Sequence, residues 1–201
     1  MVTNTDLQKE MISKIKEFLS ALTDSNIYTV SFEYSSSENI CEPDFSIRYN
    51  TESGEDFDDP KIKWDCVEWR WVGKYLILCT DIAPNYKVGT PFISIQPMVK
   101  QWIEGMGLHY LNRDEYYSLD EEYFDRYSMV EREFINVLIA IIKELHESGF
   151  VKEKFSREIP IIIFYHDDGY DADEIIKQNI EANGLPLVQE YVDFLREHGG
   201  H

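Results

Sequence analysis

Hydrophobic positions recur first at helical and then at strand spacing. Leu7, Met11, Ile15, Phe18 and Leu22 are separated by four, four, three and four residues, which places them on one stripe of a helix. The spacing predicts an amphipathic helix over 5–22, opened by a Thr5–Gln8 capping box and stopped at Asp24-Ser25-Asn26. The period then falls to two. Tyr28, Val30, Phe32 and Tyr34 alternate with Thr29, Ser31 and Glu33, and Phe45, Ile47 and Tyr49 alternate with Ser46 and Arg48. These read as two half-buried strands forming an antiparallel pair.

Residues 61–79 are rich in Trp and β-branched residues and predict two further strands around a Gly73-Lys74 turn. The phase slips between Trp64 and Val67, which leaves a bulge or a short helical turn open there. Pro97 fits the first turn of a helix running to Ile103, and Gly105 and Gly107 stop it. Val130, Phe134, Val137, Leu138, Ile141 and Leu145 give a helix over 129–147 with a wide apolar face and a Ser128–Glu131 capping box. Gly149 stands where a left-handed residue closes such a helix. The apolar run Ile159 to Tyr165 lacks alternation, so it predicts a central strand buried on both faces, with Pro160 at its start. Helices from Asp171 to Glu181 and from Pro186 to Glu197 follow, separated by Asn183-Gly184.

These elements imply one α+β domain over 1–201, in which an antiparallel, or mixed, sheet of four to six strands packs against helices. The length allows a sizeable core without metal or disulfide. Composition changes this picture mainly through charge. Lys plus Arg number 19 and Asp plus Glu 38, for a net charge of −19. Such a field disfavours nucleic acid and anionic membrane surfaces and favours a basic protein partner. It also serves solubility alone. The longest purely apolar run, Val137 to Ile142, is too short to span a bilayer, and Met1 to Asp6 lacks the pattern of a secretory signal. Cys41, Cys66 and Cys79 are odd in number and lack C-x-x-C spacing, so reduced thiols and a cytoplasmic location are expected.

Three stretches carry candidate chemistry. His166, Asp167 and Asp168 follow the inner strand and precede a helix, a junction where a His and carboxylates can hold a divalent cation. The same acids have structural work available: Asp171 is a good N-cap, and Asp173 and Glu174 suit the positive end of the helix dipole. The Trp group, Trp64, Trp69, Trp71 and Trp102, is read as core in preference to a ligand groove. Tyr116 and Tyr117, with Asp120, Glu121, Glu122 and Asp125, form an acidic, Tyr-rich stretch suited to a basic partner. Asp56 and Asp58 begin a calcium-loop spacing that nothing completes. The chain has no G-x-S-x-G, Walker, G-x-G-x-x-G or H-E-x-x-H pattern, so neither catalytic residues nor a cofactor are assigned.

From Ile159 to Leu195 the chain reads IPIIIFYHDDGYDADEIIKQNIEANGLPLVQEYVDFL. Its P-I-I-I strand, Tyr-Asp turn and Q-N-x-x-A-N-G helix end resemble the C-terminal block of small bacterial proteins encoded beside toxins, some acting as immunity factors. The resemblance implies a non-enzymatic protein that occupies a basic partner. Two alternatives stay open: a metal-dependent hydrolase centred on His166, Asp167 and Asp168, and a structural subunit, for instance a homodimer, with no small-molecule ligand.

Overall fold

The computed structural model describes residues 1–35, 43–52, 59–66, 69, 74–77, 95–109, 121–165 and 171–198. The element order is α1 (Asn4–Ala21), β1 (Ile27–Ser35), β2 (Asp44–Thr51), α2 (Pro60–Trp64), β3 (Lys74–Ile77), α3 (Gln96–Gly105), α4 (Glu121–Glu147), α5 (Phe150–Phe155), β4 (Ile161–Tyr165), α6 (Ala172–Asn183) and α7 (Leu185–His198). The class is α+β, as expected. Among the described residues no helix is long and apolar enough to cross a membrane.

The sheet order is β3-β2-β1-β4. The expectation of antiparallel character fails at one pair. β1 runs antiparallel to β2, and β2 to β3, but β4 lies parallel to β1, with Val30 opposite Ile161 and Tyr34 opposite Tyr165. The chain between β1 and β4 includes helices, which is what a parallel neighbour requires. Among the described residues the sheet has four strands, the lower end of the four to six expected.

Register separates two faces. Val30, Phe32 and Tyr34 stand beside Tyr49, Ile47 and Phe45 on one of them. There Phe134 of α4 contacts the rings of Tyr34 and Phe45, and Trp102 of α3 contacts Phe134. α1 packs on α4 and α3, its stripe Leu7, Met11, Ile15 and Leu19 wholly buried. The register shift between Ile27 and Thr29 breaks the alternation expected for Tyr28, which packs edge-on to Trp64 of α2 on the other face, and Trp64 meets Tyr191 of α7. α6 contacts β4, α4 and α7, so it bridges the two helical layers along one side of the sheet.

Several local expectations are corrected. α1 starts earlier than 5, because Thr3 and Asp6 form the capping box and Gln8 reaches Glu144 instead, at 3.1 Å. α4 begins at Glu121, so Ser128 and Glu131 are interior to it and no cap forms there. The first of the two strands expected over 61–79 is replaced at its start by helix α2, because Asp59 caps it and Pro60 occupies its first turn. The slip between Trp64 and Val67 reaches outside the described residues, and Lys74, expected in the turn, belongs to β3. Gly149 is left-handed, with φ 74°, as its position requires.

The main correction concerns β4. It is buried on both faces as predicted, yet it stands at the edge of the sheet and not at its centre. The outward groups of a parallel edge strand would remain unpaired in a buried setting. Here two asparagines of α6 supply the missing neighbour. Ile163 N–H donates to Asn179 Oδ1 at 2.8 Å, and Asn179 Nδ2 donates back to the Ile163 carbonyl at 2.9 Å. Ile161 N–H donates to Asn183 Oδ1 at 2.9 Å, and Asn183 Nδ2 returns to the Ile161 carbonyl at 2.9 Å. The geometry follows from two periods. Four helical residues rise about 6 Å, close to the roughly 6.6 Å spanned by two residues of a parallel strand.

α6 is held in place by local signals. Asp171 Oδ1 accepts from Asp173 N–H at 2.9 Å, and Gly184 ends the helix with φ 82°. His146 of α4 places one ring nitrogen 3.2 Å from Asn183 Oδ1 and the other 2.9 Å from Glu158. Asn179 is wholly buried, whereas Asn183 is half-buried.

Replacing Asn179 by Ala strands a buried N–H and a buried carbonyl. Urea unfolding of Asn179→Ala should show a loss of about 2–5 kcal/mol, with a smaller loss for Asn183→Ala. An unchanged midpoint for Asn179→Ala would contradict this account of the edge.

Candidate functional site

The second sheet face was expected to meet solvent, and it does not. Thr29, Ser31, Glu33, Ser46 and Arg48 are all buried. Glu33 and Arg48 sit on adjacent strands, diagonally across the β1–β2 ladder, where long side chains meet. Arg48 Nε lies 2.7 Å from Glu33 Oε2, and Ser46 Oγ donates to the same oxygen at 2.9 Å. Arg48 also donates to the Cys66 carbonyl at 3.3 Å. Glu33 Oε1 and Trp69 Nε1 are buried without a hydrogen-bond partner among the described residues.

This is a desolvated ion pair, and its electrostatics follow from burial. Loss of water raises the Glu33 pKa above its ordinary 4.5, outweighing the attraction of Arg48 and the Ser46 hydrogen bond. The Cys66 thiol is wholly buried, and the same loss of hydration pushes its pKa up further. A thiol in that state is a poor nucleophile, which agrees with the absence of a cysteine-based motif.

A second feature lies on the outside of the same layer. α2 and α7 enclose a cleft of about 310 Å³ lined by Pro60, Lys63, Trp64, Glu190, Asp193, Phe194 and Glu197. The acids follow from helical spacing: Glu190, Asp193 and Glu197 are three and four residues apart and share one exposed face of α7. Trp64 is buried and Phe194 partly so, which gives the cleft apolar walls. Lys63 pairs with Glu190, and its ammonium stands 5.4 Å from the centre of the Trp64 ring and 5.8 Å from that of Tyr28.

The residues singled out from the sequence fare unevenly. His166, Asp167 and Asp168, and likewise Tyr116, Tyr117 and Asp120, lie outside the described residues. Glu121, Glu122 and Asp125 belong to the first turns of α4. Asp171 caps α6, with Asp173 and Glu174 in its first turn. Trp64, Trp69 and Trp102 are core, and Trp71 is outside the described residues. Among the described residues no group of three or more His, Cys, Asp or Glu is arranged to hold a metal ion. The sequence reading missed Glu33–Arg48 and the α2–α7 cleft. A signal existed for the first: a hairpin register pairing Tyr34 with Phe45 puts Glu33 and Arg48 two positions apart on one face.

Comparison with protein-family models, curated proteins and solved structures found no match to this chain.

Arg48→Met leaves Glu33 buried without its cation and should cost about 3–5 kcal/mol near pH 7. The sign with pH is fixed by the raised Glu33 pKa. The folded protein then binds this proton more tightly than the unfolded chain does, so protonation stabilises fully below pH 4.5 and is lost as pH rises through the folded value. The deficit of Arg48→Met should therefore shrink on acidification, and adding Glu33→Gln should recover most of it. Urea titrations from pH 4 to 8 check this; a deficit independent of pH would contradict it.

Proposed function

We propose that this chain is a non-enzymatic binding protein that engages a basic protein partner, an immunity- or antitoxin-like role in which occupying the partner is the activity. The observation that supports it is the uneven distribution of charge. α1 sets Asp6, Glu10 and Glu17 against Lys9, Lys14 and Lys16. Residues 129–165 carry six acids against five bases. In contrast, residues 36–60 carry eight carboxylates against Arg48, and residues 166–197 carry nine against Lys177 and Arg196. A coating that served only solubility would need no such segregation.

The α6–α7 part of the surface inherits this excess. Asp173, Glu174, Glu181, Glu190, Asp193 and Glu197 project from the two helices, which themselves contribute only Lys177 and Arg196, while Lys143 of α4 pairs with Glu181 and Lys63 of α2 with Glu190. Gathered carboxylates raise encounter rates with a cationic surface and penalise acidic competitors. The acidic, Tyr-bearing stretch Tyr116, Tyr117, Asp120, Glu121, Glu122 and Asp125 is a further contact region in this reading. The resemblance of residues 159–195 to toxin-neighbour proteins supports the same role.

The test is affinity capture at about 50 mM salt followed by a stepwise rise to about 500 mM, over which screening shortens several-fold. Captured proteins should be predominantly basic and should elute across that range. Capture with no bias toward basic proteins, or capture indifferent to salt, would remove the reading.

A further inference from the structure

The cleft between α2 and α7 combines two features that together select a cation attached to an apolar stem. Three exposed carboxylates, Glu190, Asp193 and Glu197, line one side. The rings of Trp64 and Phe194 line the cleft too, together with Pro60 and Lys63. A cationic side chain entering here would meet negative charge at its head and ring faces along its stem, the arrangement that favours Arg and Lys.

The chain itself illustrates the mode. Lys63 reaches into the cleft, pairs with Glu190, and rests its ammonium over the Trp64 ring at 5.4 Å. It engages one end of the carboxylate row. Asp193 accepts from Gln189 at 2.9 Å and lies 3.5 Å from Arg196, a loose and exposed ion pair, and among the described residues Glu197 has an ion pair only with His198, at 3.8 Å. Exposed pairs of this kind hold their partners weakly, so an incoming guanidinium can compete for both acids.

We infer that this cleft is the docking point for an exposed arginine or lysine of the basic protein partner. The inference rests on the basic-partner reading above and assigns that reading a place. Complementarity of charge decides the occupant: an acidic or purely apolar segment would desolvate the carboxylates without replacing their hydration. The cation's head lies along Asp193 and Glu197, and its stem lies against Phe194.

The experiment uses the full chain and a fluorescein-labelled nona-arginine peptide, read by anisotropy at about 100 mM salt, where charges more than roughly 10 Å apart are largely screened. A triple variant, Glu190→Gln/Asp193→Asn/Glu197→Gln, is compared with a control that removes equal charge elsewhere, Glu17→Gln/Glu147→Gln/Glu153→Gln. The cleft variant should bind about tenfold more weakly and the control less than about threefold, since only the former loses contacts at close range. Phe194→Leu keeps apolar bulk but removes the ring face, and should weaken binding about threefold. Equal loss in the two triple variants, or unchanged affinity in Phe194→Leu, overturns the docking point while leaving the basic-partner reading intact. No binding of the peptide to the wild-type chain fails the basic-partner reading itself. A dimer of the wild-type chain that the cleft variant dissolves would assign the cleft to a second copy and also overturn the proposal.

Discussion

Two carboxamides close the sheet. Everything in the fold is arranged so that β4 can be an edge strand in a buried place, and that is possible only because Asn179 and Asn183 hydrogen-bond its outward backbone groups. A strand in this position without partners would bury four strong polar groups at a cost comparable to the whole stability of a small domain. The alternative solutions, another strand or open solvent, would each change the architecture. A further strand would displace α6 from its seat between the two layers. Solvent would separate α6 from β4 and uncover Ile175 and Ile176, which are buried in the native arrangement.

That seat also keeps the carboxylates of α6 and α7 out of the core. α6 and α7 present carboxylates outward while Ile175, Ile176, Val188, Tyr191, Val192 and Leu195 face inward. Beneath them, the sheet face that meets α2 is not a simple apolar surface but contains the Glu33–Arg48 pair and its hydroxyl neighbours. Such a pair contributes little net stability compared with apolar packing, because each ion gives up its hydration. Its effect is on specificity: a β1–β2 register shifted by one residue would move either Glu33 or Arg48 into the apolar layer against Phe134 and leave the other buried without its partner. The polar layer thus penalises mispairing of the sheet on which the outer cleft is built.

Much of this was legible in the residues, and the failures have identifiable causes. Helices α1, α6 and α7 followed from stripes, the Asp171 cap and the Gly184 stop, because those signals are local. The burial of β4 was legible from its unbroken apolar run, but its edge position was not. Burial is normally achieved by flanking strands, and nothing in a strand sequence reveals that side-chain amides will stand in for one. The Asn179–Asn183 spacing is visible in the sequence, yet it becomes meaningful only when a strand of matching rise lies alongside. Alternation in β1 and β2 suggested a wet face, since Ser, Thr, Glu and Arg usually face water, and only tertiary cover by the segment from α2 to Cys66 overrides that expectation. The cleft was illegible for a related reason: Lys63 and Glu190 are 127 positions apart, and no local pattern joins them.

The central claim is that amides of an edge strand are protected by side chains from a helix. Residue-resolved hydrogen exchange measures this directly at Ile161 and Ile163. Both amides should exchange as slowly as the interior positions of β1, and protection at Ile163 should collapse in a chain lacking the Asn179 carboxamide while β1 remains protected. Fast exchange at Ile161 and Ile163 in the wild-type protein, with β1 slow, would contradict the account.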